Sequence, residues 1–349
     1  MLTAAVCWHE AFRPFQGIEP ILRAEPARRD RLESMSFLPG QRLSIVIAGG
    51  SGQIGHSLAA HFQRAGHRVV VLTRAPYTAN WPTIYWNPED EDGPHENSWV
   101  ESLEGADVLI NLAGRSIACP LTRRNRVEIR DSRILSTRLL GRVLGTLQTP
   151  PQLWLNASSA IAGSLSQSLP ARGVPAFMSR ITDEWEAEFF NAPLAGVRRV
   201  ALRTGLFLAP APGNRFALLS TLVRAGIGGT LGNGLQWVSW IHAADYARAV
   251  DLLIERDDLS GPITLAAPEP VTNRDFMAAL RDVWQRPNGV IWPAPLMHII
   301  GLARADASLA LYSCHAEPDQ LLQAGFTFEF ADWPTAAEDL AREWRQLDH

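Results

Sequence analysis

Two spacings of apolar residues alternate along this chain. Unbroken runs such as Ser44-Ile45-Val46-Ile47-Ala48 and Arg68-Val69-Val70-Val71-Leu72-Thr73 read as strands, because a strand covered by helices on both faces has no polar side to present. Between them Ile54, Leu58, Phe62 and Ala65 recur at helical spacing and stop at Gly66, which predicts a helix laying one apolar stripe on the sheet. The alternation continues with a buried strand from Ala106 to Gly114 and a helix whose face carries Ile129, Ser132, Leu135, Leu139, Leu140, Val143 and Leu147. Strands from Leu153 to Ser159 and from Val200 to Gly205 follow. The polar stretch from Ala75 to Ser98 predicts an irregular excursion around a short strand near Thr83-Ile84-Tyr85-Trp86. Strands alternating with helices predict an α/β fold built on a doubly wound parallel sheet.

Beyond Phe207 the pattern changes. Gly- and Pro-rich loops surround Ile227-Gly228-Gly229-Thr230-Leu231-Gly232-Asn233-Gly234, and the aromatic run Trp237-Val238-Ser239-Trp240-Ile241-His242 follows. A helix is expected to start at Thr272, with Thr272 bonding forward and Asp275 back. These changes divide the chain into an N-terminal appendage (1–41), a dinucleotide-binding domain (42–207) and a smaller C-terminal lobe interleaved with the sheet (208–349). The lobe includes a small terminal domain from about 290. The first segment holds the charged run Arg28-Arg29-Asp30-Arg31 and lacks the cationic start and apolar core of a signal peptide. Met35 is an alternative start for the protein.

The first strand runs straight into Gly49-Gly50-Ser51-Gly52-Gln53-Ile54-Gly55. Glycines spaced in this way between a strand and a helix, inside a βαβ unit of about 30 residues, are the signature of a Rossmann-like dinucleotide turn. Gly49 allows the tight turn, Gly52 lets the backbone approach a pyrophosphate, and Gly55 lets the helix pack on its strand. The phosphates sit at the helix N-terminus. Where NAD sites place an acid after the second strand, this chain has Thr73-Arg74; a guanidinium pairs with a 2′-phosphate, so NADP(H) is the expected cofactor.

Composition narrows the chemistry. A net charge of −4 and a pI near 6.2 give no reason to expect a nucleic acid or an anionic membrane surface as partner. No stretch approaches the ~20 apolar residues of a membrane span. Cys7, Cys119 and Cys314 are far apart, and the nine histidines form no H-E-x-x-H pattern. Neither disulfides nor a metal site are expected, and a reducing cytoplasm fits. The chain has no lysine, so all 32 of its basic Lys/Arg residues are arginine and Schiff-base chemistry is excluded.

From about Leu43 onward the sequence resembles the atypical "epimerase family" branch of the extended short-chain dehydrogenase/reductases. The resemblance is carried by the glycine turn, by Val71-Leu72-Thr73-Arg74, Ile110-Asn111-Leu112-Ala113-Gly114, Ile129-Arg130-Asp131-Ser132-Arg133, Leu202-Arg203-Thr204-Gly205-Leu206, Gly234 to His242 and Ala267 to Asn273. The terminal Leu322-Gln323-Ala324-Gly325-Phe326-Thr327-Phe328 resembles that branch's small C-terminal domain of unassigned function.

Active members of the wider superfamily use a serine with a Tyr-x-x-x-Lys pair. Ser158 falls where that serine belongs, but Met178 and Thr182 stand roughly where tyrosine and lysine would, and Asn156 to Ser164 lacks the tyrosines of relatives' loops. The resemblance implies a cofactor set of Gly49, Gly52, Gln53, Ile54, Gly55, Thr73, Arg74, Asn111, Leu112, Ala113, Gly114, Arg133 and Arg203. Arg115, Ser159, Thr204 and Trp240 are expected at the substrate. Ser158 and His242 are the catalytic candidates, His242 titrating near neutrality with Asp245 steadying it one turn on. Arg130 and Arg133 either orient loops around the cofactor or pair on a helix surface.

Two functions follow. One is an NADP(H)-binding oxidoreductase or epimerase-like enzyme acting on a small polar substrate, a nucleotide sugar being one candidate. The other is a non-catalytic NADP(H) sensor or scaffold. The oligomeric state is left open, with a homodimer as one option.

Overall fold

The strands and helices follow directly from the apolar spacing. A computed structural model describes residues 37, 40–89, 96–161, 173–287 and 289–347. The expected appendage lies outside them apart from Phe37, Gly40 and Gln41. β1 (Ser44–Ala48), α1 (Gln53–Arg64) and β2 (Arg68–Thr73) form the first βαβ unit. Next come β3 (Thr83–Tyr85), α2 (Glu96–Leu103), β4 (Val108–Asn111), α3 (Arg123–Leu144), β5 (Leu153–Ser159), α4 (Val174–Phe190) and β6 (Arg198–Thr204).

The central sheet has seven strands in the order β10-β6-β5-β4-β1-β2-β3, where β10 is Gly261–Leu265. Every neighbouring pair is parallel. Alternate residues point to opposite faces. Ile45, Ile47, Val69, Val71, Val108 and Ile110 join one core cluster, while Val46, Ala48, Val70, Leu72 and Leu109 join the other. Both faces are covered, which is why these strands read as unbroken apolar runs.

The seventh strand, β10, comes from beyond the expected boundary at Phe207, so the C-terminal part completes the sheet as well as extending it. Past β7 (Leu206–Leu208) and α5 (Arg215–Arg224), β8 (Trp237–Val238) and β9 (Trp240–His242) lead into α6 (Ala243–Glu255). α6 is tied to α1 by His61, which lies 2.7 Å from the Asp251 carboxylate. After β11 (Val271–Thr272), α7 (Asn273–Val283) begins where expected, with the Thr272 hydroxyl accepting from the Asp275 N–H at 3.3 Å. Asp275 reaches back to the Thr272 hydroxyl, which donates to it at 2.6 Å.

The remaining helices are α8 (Ala294–Ala303), α9 (Ala305–Leu309), α10 (Asp319–Gln323) and α11 (Trp333–Leu347). α7 and α11 hold a further core in which Phe276 stacks on Trp333 at 4.1 Å, with Leu280 and Leu340 beside them. No helix among the described residues is long and apolar enough to cross a membrane.

Candidate functional site

Ala48, the last residue of β1, pairs with Leu72 on one side and Asn111 on the other, so the glycine turn opens where the strand order reverses. Gly49 has φ +74°, and a Cβ there would lie 2.7 Å from the Ala113 backbone. A Cβ on Gly55 would lie 2.5 Å from the Gly50 Cα. Both positions are closed to side chains by the protein itself. Gly52 differs, because its φ of −74° suits any residue and the nearest atom to an added Cβ is the Gly49 oxygen at 3.5 Å. A side chain at 52 would obstruct only the open groove beside the turn. α1 starts with no side-chain cap and no acid in its first turn, which leaves its first N–H groups available to an anion. These features fit a dinucleotide phosphate.

The Gln53 side chain donates to the Pro212 carbonyl at 2.9 Å, tying down the loop after β7, and Ile54 packs against the core. At the end of β2 the Thr73 hydroxyl donates to Ser51 Oγ at 3.0 Å, and Arg74 beside it is exposed.

Asn111 corrects one expectation. Its side chain is fully buried, donating to Asn156 at 2.7 Å and Thr137 at 3.2 Å and accepting from the Ala113 N–H at 3.1 Å. It shapes the Leu112-Ala113-Gly114 turn and has no group left for a cofactor. Arg133 lies beside Gly114, donates to the Arg115 and Ile129 carbonyls at 3.2 and 2.8 Å, and stands 5.4 Å from the Trp185 ring. Burial lowers its pKa to about 10. Arg130 instead pairs with Glu184 at 2.6 Å and Asp131 at 2.8 Å on the helix surface.

Ser158 on β5 stands opposite Arg203 on β6. α4 buries Phe177, Met178, Ile181, Trp185 and Phe189 and brings Glu186 to both. Ser158 O–H donates to Glu186 Oε1 at 2.5 Å. Arg203 grips the same carboxylate with Nε at 2.9 Å and a second nitrogen at 2.7 Å. That hydrogen bonding raises the Arg203 pKa. Burial, and then the charge of Glu186, raise the Asp183 carboxyl one turn earlier.

The two positions equated with tyrosine and lysine offer no chemistry. Met178 packs with Ile129 and Phe177, and the Thr182 hydroxyl donates to the Met178 carbonyl at 2.9 Å. Glu186 went unnoticed in the sequence. Its signal was an arginine inside the apolar strand β6, which needs a partner, and an acid between the buried residues Trp185 and Phe189.

Arg203 commits Nε and one terminal nitrogen to Glu186. Three further expectations need correcting. Arg115 hydrogen-bonds Asn125 at 3.0 Å and pairs with Glu128, so it is occupied on α3. Trp240 is completely buried against Trp333, with its N–H donating to the Glu269 carbonyl at 3.2 Å; it is core. His242 is 3% exposed. It caps α6 by accepting from the Ala244 N–H at 3.1 Å, and burial lowers its pKa to about 4. Asp245 does not steady it, because that carboxylate accepts from the Glu329 and Phe330 N–H groups at 2.9 and 2.8 Å and from Arg248 at 2.6 Å.

Ser159 and Thr204 line a cavity of about 560 Å³ beside the β5–β6 edge. Its walls carry Leu219 and Leu222 of α5, Phe276 and Met277 of α7, and Met297 and Ile300 of α8. Asp306 of α9 stands in the wall between Arg215 at 2.6 Å and Arg304 at 3.0 Å. Burial opposes the charge on this carboxyl, but the two arginines together hold it below the usual range. Tyr312 also reaches the cavity wall, although its sequence position matches no tyrosine of the resembled family.

Comparison with known proteins gives a consistent result. The profile of the NAD dependent epimerase/dehydratase family matches residues 45–265, and a domain of unknown function, DUF1731, matches residues 292–340. Epimerase family protein Mb2239 of Mycobacterium bovis is 32% identical over 292 residues, covering 81% of this chain and 93% of that protein. Among solved structures, human epimerase family protein SDR39U1 (isoform 2) with NADPH superposes with a TM-score of 0.74 at 24% identity, covering 85% of this chain and 99% of that one. The nucleoside-diphosphate sugar epimerase of Corynebacterium glutamicum gives 0.65 at 27% identity, covering 89% of this chain and 62% of that one.

Proposed function

The chain belongs to the NAD dependent epimerase/dehydratase family, and from that premise we propose that it is an NADP(H)-dependent oxidoreductase or epimerase-like enzyme working on a carbon–oxygen group held at Ser158. The reading rests chiefly on one observation, the Ser158–Glu186–Arg203 network at the sheet edge, between the glycine turn and the cavity. Exposed Arg74 beside Ser51 supports the phosphorylated dinucleotide, as does the NADPH named in the human relative's structure.

When bound, NADP(H) supplies or takes up a hydride; the protons fall to the chain. Ser158 donates to Glu186 and keeps its lone pairs for a substrate hydroxyl. As an alcohol is oxidised, its proton passes to Ser158 Oγ while the serine proton passes to Glu186 Oε1, which lies 2.5 Å from Oγ; reduction runs the same relay backwards. The two-point grip of Arg203 fixes which carboxylate oxygen faces the serine. Asp183 holds a proton to higher pH than an isolated aspartate, which places a second acid beside the relay.

The test is a screen of aldehydes and ketones with NADPH, followed by absorbance, with product NMR to catch epimerisation without net cofactor change. Ser158→Ala and Glu186→Gln are each expected to lower kcat by about 100-fold and leave NADPH affinity within about twofold. Turnover that survives both overturns the relay. A second reading, a non-catalytic NADP(H) sensor, is favoured by the inert Met178 and Thr182. It gains if NADPH binds and no member of the screen turns over.

A further inference from the structure

We propose that the cavity lined by Ser159 and Thr204 takes a mainly hydrocarbon substrate bearing one ketone or secondary hydroxyl, and excludes nucleoside diphosphate sugars. The proposal rests on the hydride-transfer reading above. In the oxidative direction the secondary alcohol gives its carbon-bound hydrogen to NADP⁺ as hydride and its hydroxyl proton through Ser158 to Glu186. This leaves the ketone and NADPH.

Three observations point this way. The first is volume: about 560 Å³ suits an organic ligand on the order of 20 non-hydrogen atoms. The second is the wall. Leu219, Leu222 and Ile300 are only half-buried and line the cavity, so apolar surface there is left for a ligand to cover, which is the main source of affinity in such sites. The third is the scarcity of free polar groups. A buried diphosphate needs cations or N–H donors to replace its water. The cavity arginines Arg215 and Arg304 already share Asp306 at 2.6 and 3.0 Å. Further polar groups of the wall are spent within the protein: Ser239 donates to the Cys314 carbonyl at 2.9 Å and accepts from the Ala316 N–H at 2.8 Å, the Asn273 oxygen accepts from the Leu231 N–H at 2.8 Å, and Thr204 donates to the Leu202 carbonyl at 3.1 Å. Sugar hydroxyls entering here would trade water for leucine and methionine.

The experiment titrates the full chain with 2-undecanone and, separately, with UDP-glucose. It reads cavity-wall Trp237 and Trp292 by fluorescence and the ligands by saturation-transfer NMR, with and without NADPH. Saturable binding of the ketone and none of millimolar UDP-glucose is expected. Leu222→Gln and Ile300→Gln should each weaken ketone binding about tenfold, since each puts an unpaired amide into an apolar wall, while NADPH affinity stays unchanged. UDP-glucose displacing the ketone, or ketone affinity untouched by both substitutions, overturns the proposal. Loss of NADPH binding with ketone binding retained sinks the hydride-transfer reading and leaves the cavity assignment standing.

Discussion

The two halves of the sheet's carboxyl edge are built from different materials. At the β1–α1–β4 half, the features that fit a phosphate are backbone: the first turn of α1, Gly52, and the turn held by buried Asn111. At the β5–β6 half, the chemistry hangs on side chains contributed by three elements, Ser158, Glu186 and Arg203, beside walls from the C-terminal part. A site made of backbone is damaged by adding a side chain. A site made of side chains is damaged by taking one away.

The sharpest way to break this contrast is to add atoms to the glycine turn. Gly55→Val should cost about 3 kcal/mol or more of stability, since its Cβ would meet the Gly50 backbone at 2.5 Å and neither chain can yield. Gly52→Val should keep the melting temperature near that of the parent, because its backbone is extended and the space is open. NADPH affinity should nevertheless fall by about 100-fold or more. Calorimetric binding and thermal melts on both variants check the pair. If Gly52→Val binds NADPH normally while folded, the turn is not the phosphate site.

This difference also decides what could be read from sequence. The glycine turn, its flanking strands and Arg74 lie within one βαβ unit, and their spacing is fixed by local backbone geometry, so the pattern carries the structure. The β5–β6 half is assembled across the fold. Ser158, Glu186 and Arg203 come from two strands and a helix between them, and nothing local distinguishes Glu186 from the surface acids Glu184 and Glu188, which pair with Arg130 and Arg138. Trp240 and His242 read as pocket residues because an aromatic run next to histidine suits a pocket. Burial against Trp333 and Phe330 makes them core. The apolar cavity arises only when α5, α7 and α8 converge, so a polar substrate was the natural expectation.

A smaller effect tests whether His242 takes part in the proposed relay. Its folded pKa, about 4, lies below the ordinary 6.5. Between those values the unfolded chain binds a proton that the folded chain refuses. Stability is therefore full above pH 6.5 and drains away as pH falls toward 4. From pH 6.5 to 5 the loss should be about 2 kcal/mol. His242→Asn keeps an oxygen to cap the Ala244 N–H and should flatten that slope in urea melts at the two pH values. Turnover at neutral pH should change by no more than about threefold, as for a group outside the relay. A near-neutral limb in the pH profile that vanishes in this variant would return His242 to catalysis.

The smallest effect concerns the one side chain assigned to the backbone half. Arg74 is exposed, next to the Thr73–Ser51 hydrogen bond, so a contact with a 2′-phosphate would form in water and be screened by salt. It should be weaker than the same pair buried. A preference for NADPH over NADH of about tenfold, or about 1.4 kcal/mol, is the expected size. Arg74→Ala should remove most of it by weakening NADPH and leaving NADH unchanged, and raising the salt from 50 to 500 mM should shrink the parent's preference in the same direction. Calorimetry with both nucleotides at both salt concentrations reads all three quantities. A parent that binds the two equally would leave the glycine turn intact as a pyrophosphate site and place the choice of cofactor elsewhere, because Gly52 and the first turn of α1 meet only what the two dinucleotides share.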